Sequence, residues 1–233
     1  MADSKLDIWN AARDRIGEND AIEDENDSGT SAQVCDRHYD RCRKEVLKTL
    51  RWPFATAQGT LSELAAVTVV GWENAYALPA DCLEPRGLLP EGMTADQIPP
   101  DLRIPFEIMA RRVRVDDGGG ASHVEVTQML VTNATQGDQF DALEYTLDIE
   151  DTSLFDPLFE TALAWRLAAE LQLSVKKSRS EYDRIMDERA GDYWKAMRLA
   201  AASAFRGTQG APPPETPSLA ARGSAGYVRP GSR

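Results

Sequence analysis

The sequence predicts an α+β fold: a helical bundle of N-terminal and C-terminal helices, an inserted small antiparallel β-domain, and an extended C-terminal arm. Three observations predict it. Amphipathic helical periodicity runs through the first fifty or so residues and returns after Ser153. Between them, about 60 to 150, apolar residues fall in short alternating runs broken by Pro and Gly. Hydrophobic residues make up 42% of the 233, enough for a real core. The expected organisation is 1–57 for the N-terminal helices, 58–150 for the β-domain, 151–206 for the C-terminal helices and 207–233 for the arm.

Leu6, Ile8, Trp9, Ala12 and Ile16 recur at near-helical spacing, with Asp3 or Ser4 as cap and Gly17 as stop. Glu18, Asp20, Glu23, Asp24, Glu25 and Asp27 then form an acidic loop without a base. Asp24-x-Asn26-x-Ser28-Gly29 is only a fragment of a calcium loop, because its twelfth position is Cys35 rather than a bidentate Glu. A solvated loop is expected there. Thr30 or Ser31 caps a second helix from Ser31 to Trp52, whose stripe is Cys35, Tyr39, Cys42, Val46 and Leu50. Asp36, Arg37, Asp40, Arg41, Arg43, Lys44, Glu45 and Lys48 make its charged face, and Pro53 ends it.

Strands are expected at Val67–Val70, Trp72–Leu78, Leu83–Leu89, Phe106–Ile108, Arg112–Val115, Val124–Val126, Met129–Thr132 and Leu143–Ile149. Gly118-Gly119-Gly120 reads as a hairpin turn; it lacks the lysine and following helix of a phosphate loop. Helix resumes at Ser153, with Pro157 in its first turn and Phe155, Leu158, Phe159, Ala162, Leu163 and Leu167 on its apolar face, and runs to about Val175. One further helix carries Tyr182, Met186, Arg189, Tyr193, Met197, Ala200 and Ala204. Residues 207–233 are rich in Pro, Gly, Ser and Ala and cannot form a core. They are either a disordered tail or an arm that orders against a partner.

The formal net charge is −12, which disfavours holding nucleic acid by phosphate neutralisation. Cys35, Cys42 and Cys82 include no C-x-x-C pair, so small buried hydrophobes in a reducing cytoplasm are expected, not a zinc site. Met1–Asp7 leads into no signal-peptide core, and no stretch reaches the ~20 apolar residues of a membrane span; a protein soluble when made is expected. The two histidines, His38 and His123, are far apart. No H-E-x-x-H or G-x-S-x-G occurs. No catalytic, metal-binding or cofactor residues stand out, although an unassigned carboxylate pair would suffice for glycoside hydrolysis.

Three strings, taken in order, resemble one family. They are the acidic loop, the Ser31-Ala32 cap and the helix through His38-Tyr39-Asp40 and Val46-Leu47 into Trp52-Pro53-Phe54-Ala55; Trp72 followed by Tyr76-Ala77-Leu78-Pro79-Ala80-Asp81-Cys82-Leu83; and Phe155-Asp156-Pro157-Leu158-Phe159 followed by Ala162-Leu163-Ala164 and Leu167-Ala168. Together, over about Leu6–Phe205, they look like the head–tail adaptor (connector) proteins of tailed bacteriophages, the tail tubular protein A type. The resemblance implies a structural virion protein made in the host cytoplasm. It would form a ring of about twelve copies between the portal and the downstream tail or stopper protein. DNA would pass through the lumen, during packaging and ejection, without specific binding. No membrane and no cofactor are implied.

On that reading the candidate ring contacts are Arg41 and Glu45 on the second helix and Tyr193 and Met197 on the last. Internal packing is the equal alternative for each. The candidate portal-binding arm carries Pro213, Arg222, Tyr227 and Arg229, with Tyr227 and Arg229 as anchors. Some short-tailed relatives suggest a different class, a tail-associated cell-wall (peptidoglycan) hydrolase, but no matching catalytic residues carry over. A monomeric binding module is a third class.

Overall fold

The computed structural model describes residues 4–65, 67–93, 98–99, 102–116 and 122–208. In chain order these form α1 (Lys5–Asp14), α2 (Thr30–Thr49), β1 (Thr56–Gly59), β2 (Ser62–Glu63), β3 (Asn74–Ala77), β4 (Cys82–Leu89), β5 (Glu107–Asp116), β6 (Ser122–Thr132), β7 (Ala142–Leu147), α3 (Pro157–Ser174), α4 (Arg179–Met186) and α5 (Asp192–Thr208). The protein is a mixed α+β fold, and every pairing between these strands is antiparallel.

Helix ends follow local chemistry. Ser4 caps α1 through a reciprocal box with Asp7, and Gly17 turns the chain with φ +75°. The expected Thr30 or Ser31 cap of α2 is corrected to Gly29. Ser31 Oγ is engaged elsewhere, donating to Glu18 Oε2 at 2.8 Å. The expected stripe is real: Cys35, Tyr39, Cys42 and Val46 are buried, and Leu50 is half-buried just past the helix. Asp156 caps α3 by accepting from the Leu158 backbone N–H at 2.8 Å, so the helix starts at Pro157. Ser153 belongs to a separate short turn, Thr152–Leu154.

The single last helix expected from the sequence is two helices. After Met186, the Asp187 carboxylate accepts from the backbone N–H groups of Arg189 and Ala190 at 3.0 and 2.6 Å. Gly191 then closes the turn on the Asp187 carbonyl at 2.8 Å. A Cβ on Gly191 would lie 2.3 Å from the Ile185 carbonyl oxygen, so only glycine fits. α5 continues to Thr208, just past the expected start of the arm. Pro213, Arg222, Tyr227 and Arg229, like Gly118–Gly120, lie outside the described residues.

Helices from both ends of the chain share one apolar core, with α3 at its centre. Phe159, Leu163, Leu167 and Leu171 of α3 meet Trp9 of α1, Cys42 and Leu47 of α2, and Tyr193 and Met197 of α5. The strands make a three-stranded sheet ordered β1-β7-β4 and a four-stranded sheet ordered β2-β3-β6-β5. Tyr76 and Leu130 from one sheet pack with Leu88, Leu143 and Tyr145 from the other. On the opposite face of the four-stranded sheet, Ala75, Met129 and Val131 are covered by Leu64, Val67, Val69 and Trp72.

Several strand expectations are corrected. Val67–Val70 is not a strand; it touches sheet geometry only at an isolated Val69–Trp72 bridge, and Val70 is fully exposed. Its apolar side chains serve as a cover for the sheet face instead. The four short runs around the glycine turn merge into two long strands, β5 and β6, in continuous register from Glu107↔Val131 to Asp116↔Ser122. β1 and β2 are too polar and too short to carry a strand signal.

Candidate functional site at the helix–sheet junction

Two of the three strings that carry the family resemblance meet in space. The expected end of α2 at Trp52 before Pro53 is corrected: the helix stops at Thr49, where Leu50 is already extended, and Pro53 instead starts a single turn, Pro53–Ala55, that feeds β1. On either side of it, Trp52 and Phe54 pack on Phe159, with ring centroids 5.1 and 5.2 Å away and nearly perpendicular planes. Phe155 completes the cluster at 4.7 Å from Phe159. The Trp52 indole N–H donates to the Val46 carbonyl at 2.9 Å, tying the string back to α2. The Leu-Pro-Ala-Asp string ends at the same junction. There Asp81 accepts from the Tyr145 hydroxyl at 3.2 Å and, through its carbonyl, from the Asp148 N–H at 3.0 Å. Leu83 packs on the helical core.

Around these aromatics, three arginines bind the sheets to α2. Arg43 is almost wholly buried and donates to Asp40 and Asp148, each at 2.6 Å, and to the Ile149 carbonyl. Burial opposes its charge, yet the hydrogen bonds to Asp40 and Asp148 win and raise its pKa. Those same bonds, Arg43 first, hold Asp40 below the usual carboxylate range. Lys44 bridges the same two carboxylates at 3.1 and 3.2 Å. Arg86 of β4 donates to the carbonyls of Leu47, Lys48 and Leu50 at 3.3, 2.9 and 3.0 Å and to Thr146 Oγ1 at 2.8 Å. It thereby caps the C-terminal carbonyls of α2 and complements the negative end of its dipole. Arg51 grips the buried Glu144 of β7 with two 2.8 Å contacts. Breaking one member of such buried pairs strands a charge, so they fix one orientation of the sheets on α2.

A pocket of about 360 Å³ opens between Arg51, Arg86, Arg103 and Glu144, over Leu88, Leu89, Ile104 and Phe106. Among the described residues, no group of three His, Cys, Asp or Glu side chains is placed to hold a metal ion. Burial pushes the Cys35 and Cys42 thiols up to about 12, in keeping with packed hydrophobes rather than nucleophiles. No described helix is long and apolar enough to cross a membrane.

The candidate contact residues divide. Tyr193 and Met197 are 1% and 2% exposed, packed between α5 and the helices it covers. The single chain consumes both side chains, so they have no surface for a neighbour, and they are corrected to core residues. Arg41 and Glu45 stay at the surface, paired to α3: Arg41 with Glu170 at 2.7 Å and Glu45 with Arg166 at 2.8 Å. Arg166 and Glu170, themselves paired at 2.7 Å, were missed as functional candidates. Their i, i+4 spacing inside an otherwise apolar helix is the signal that marks them. Part of the charged face of α2 serves the sheet side: buried Arg43 and half-buried Lys44 bind Asp148, and exposed Lys48 binds Glu84. His38 lies beside Glu170 at 3.8 Å.

No protein-family model matches the chain, and no curated protein matches it significantly.

Proposed function

We propose that the chain is a head–tail adaptor of a tailed bacteriophage, a structural virion protein at the head–tail junction. In this reading the helices form the ring-building body and the strands form a β-domain inserted into it. Copies join side by side through heterologous contacts into a closed ring that meets the portal above and the tail or stopper protein below. Arg41 and Glu45 are the remaining candidate ring contacts, and residues 207–233 are the candidate portal arm. The charge of −12 suits a lumen that repels passing DNA instead of binding it.

One observation carries the reading. The Trp52-Pro53-Phe54 and Phe155-Asp156-Pro157-Leu158-Phe159 strings, about a hundred residues apart in sequence, interlock in one aromatic cluster, and the Leu-Pro-Ala-Asp string enters the same junction. The test is to add purified chain to DNA-filled, portal-bearing heads that lack their neck proteins and image the portal vertex by electron microscopy. A ring of added density is expected. A bare vertex at saturating protein would sink the proposal. A chain truncated at Gly207 should form no such ring, and normal attachment by it would remove the arm.

A further inference from the structure

We propose that the junction pocket between Arg51, Arg86 and Arg103 is a binding site for a carboxylate carried on a short apolar body. The proposal does not depend on the ring reading above. Its volume, about 360 Å³, is that of a small-molecule site. Three guanidinium groups and one carboxylate line it, leaving a cationic excess in a chain that is acidic overall.

Glu144 does not cancel that excess. It is almost fully buried, and Arg51 occupies both its oxygens at 2.8 Å. Arg86 spends Nε and Nη2 on Thr146 and the α2 carbonyls. Among the described residues its Nη1 meets no acceptor. Arg103 is exposed and makes no ion pair with the described residues. Burial holds Arg86 below its usual pKa, and the charge of Arg51 pushes the same way. A bound anion relieves both.

The rest of the lining selects the anion. Leu88 and Leu89 are buried, and Ile104 and Phe106 are half-buried against the inter-sheet core. A phosphate would waste this apolar wall. A carboxylate matches the planar guanidinium fork, and a hydrocarbon body covers the wall. Such a group comes from a free organic acid or from the C-terminal residue of a peptide.

Calorimetric titration of the full chain tests this with five probes: hexanoate, hexanamide, inorganic phosphate, an acetylated tripeptide ending in free leucine, and the same peptide amidated. Saturable binding of hexanoate or of the free-acid peptide, with no binding of the neutral partner, is expected. Whichever acid binds tighter identifies the source. Arg103→Gln should weaken binding by about tenfold without moving the melting temperature of the unliganded chain, while Arg111→Gln changes neither. The proposal is overturned if neither acid binds at millimolar concentration, if the acid that binds is matched by its own neutral amide, if phosphate binds as tightly as that acid, or if Arg103→Gln is neutral.

Discussion

The helices and the sheets of this chain are held by different physics. The helices enclose one continuous core, in which α3 is buried on nearly every side. The sheets divide a much smaller apolar stock between two faces, one between the sheets and one under the 64–72 cover. They also leave Val124 and Val126 of β6 more than half exposed. What the sheets lack in core they gain in polar ties to α2, through Arg43, Arg51 and Arg86. The helical half is therefore the part able to set stability, and the junction decides whether the sheets share in it.

The hardest test of that contrast removes the ring at its centre. Phe159 touches Trp52, Phe54 and Phe155, so Phe159→Ala should cost about 4 kcal/mol. Urea denaturation followed by tryptophan fluorescence measures it, since Trp9, Trp52, Trp165 and Trp194 all sit with the helices. A loss under 1 kcal/mol would mean that the aromatic cluster is not the keystone. Arg43→Met comes next. It leaves the Ile149 carbonyl without this donor and Asp148 with Lys44 alone, at a cost of about 3 kcal/mol for the lost charge-assisted hydrogen bonds. Its signature differs, because the helices keep their core while the sheets lose their anchor. Trp72, the one tryptophan on the sheet side, should then report an earlier transition than the other four. Coincident transitions would show that the two halves remain one cooperative unit without Arg43.

Legibility in the sequence follows the same division. Helices announced themselves through periodicity, because one buried stripe repeats every turn; the Cys35–Val46 stripe was read residue by residue. The break between α4 and α5 is hidden in the sequence because Tyr182, Met186, Tyr193 and Met197 keep near-helical spacing across it. Asp187 and Gly191, a side-chain cap and a glycine pressed on backbone, were its only marks. The sheets were seen as a region and misdrawn in detail. β5 reads as two fragments because Ala110 and Arg111 interrupt the apolar alternation, and β6 because Thr127 and Gln128 do, while Val67–Val70 has the composition of a strand and is a cover. The junction was least legible. Arg43 and Asp148 lie 105 residues apart, and an ion pair at that separation leaves no periodic trace. The acidic string Asp148-x-Glu150-Asp151 directly after a strand, facing a helix rich in Arg and Lys, was the available hint.

Gly191→Ala is a milder and more local probe. Its methyl would collide with the Ile185 and Asp187 backbone, so the α4–α5 turn must open, costing about 2 kcal/mol. Because the turn's own hydrogen bonds run within the α4–α5 segment and not to Arg43, Arg51 or Arg86, the sheet and helix transitions should fall together. Separated transitions would contradict the view that Arg43, and not general weakening, controls coupling.

The smallest expected effect concerns acid. His38 is held below its usual 6.5 by burial first, and by the charges of Arg41, Arg37 and Arg166, although Glu170 pulls the other way. With the folded pKa below the unfolded one, the unfolded chain binds the extra proton, so stability is complete above about 6.5 and falls as pH drops through the folded value. Glu18 acts in the same sense at lower pH. Burial would raise its pKa, but Ser31, Lys176 and Arg13 together lower it from 4.5, and its contribution is lost as pH falls below that. Both groups belong to the helical half, so the first loss of stability on acidification should originate there. Melting temperatures of wild type and His38→Gln, compared between pH 7.5 and pH 5.5, isolate the first step. The wild type should lose more than the variant over that interval, and because the Arg43 junction is intact in both, the extra loss should appear together at the helical tryptophans and at Trp72. An identical loss in the two proteins would remove His38 as the cause. A loss seen first at Trp72 would instead place the acid-sensitive contacts on the sheet side, reversing the contrast between the two halves.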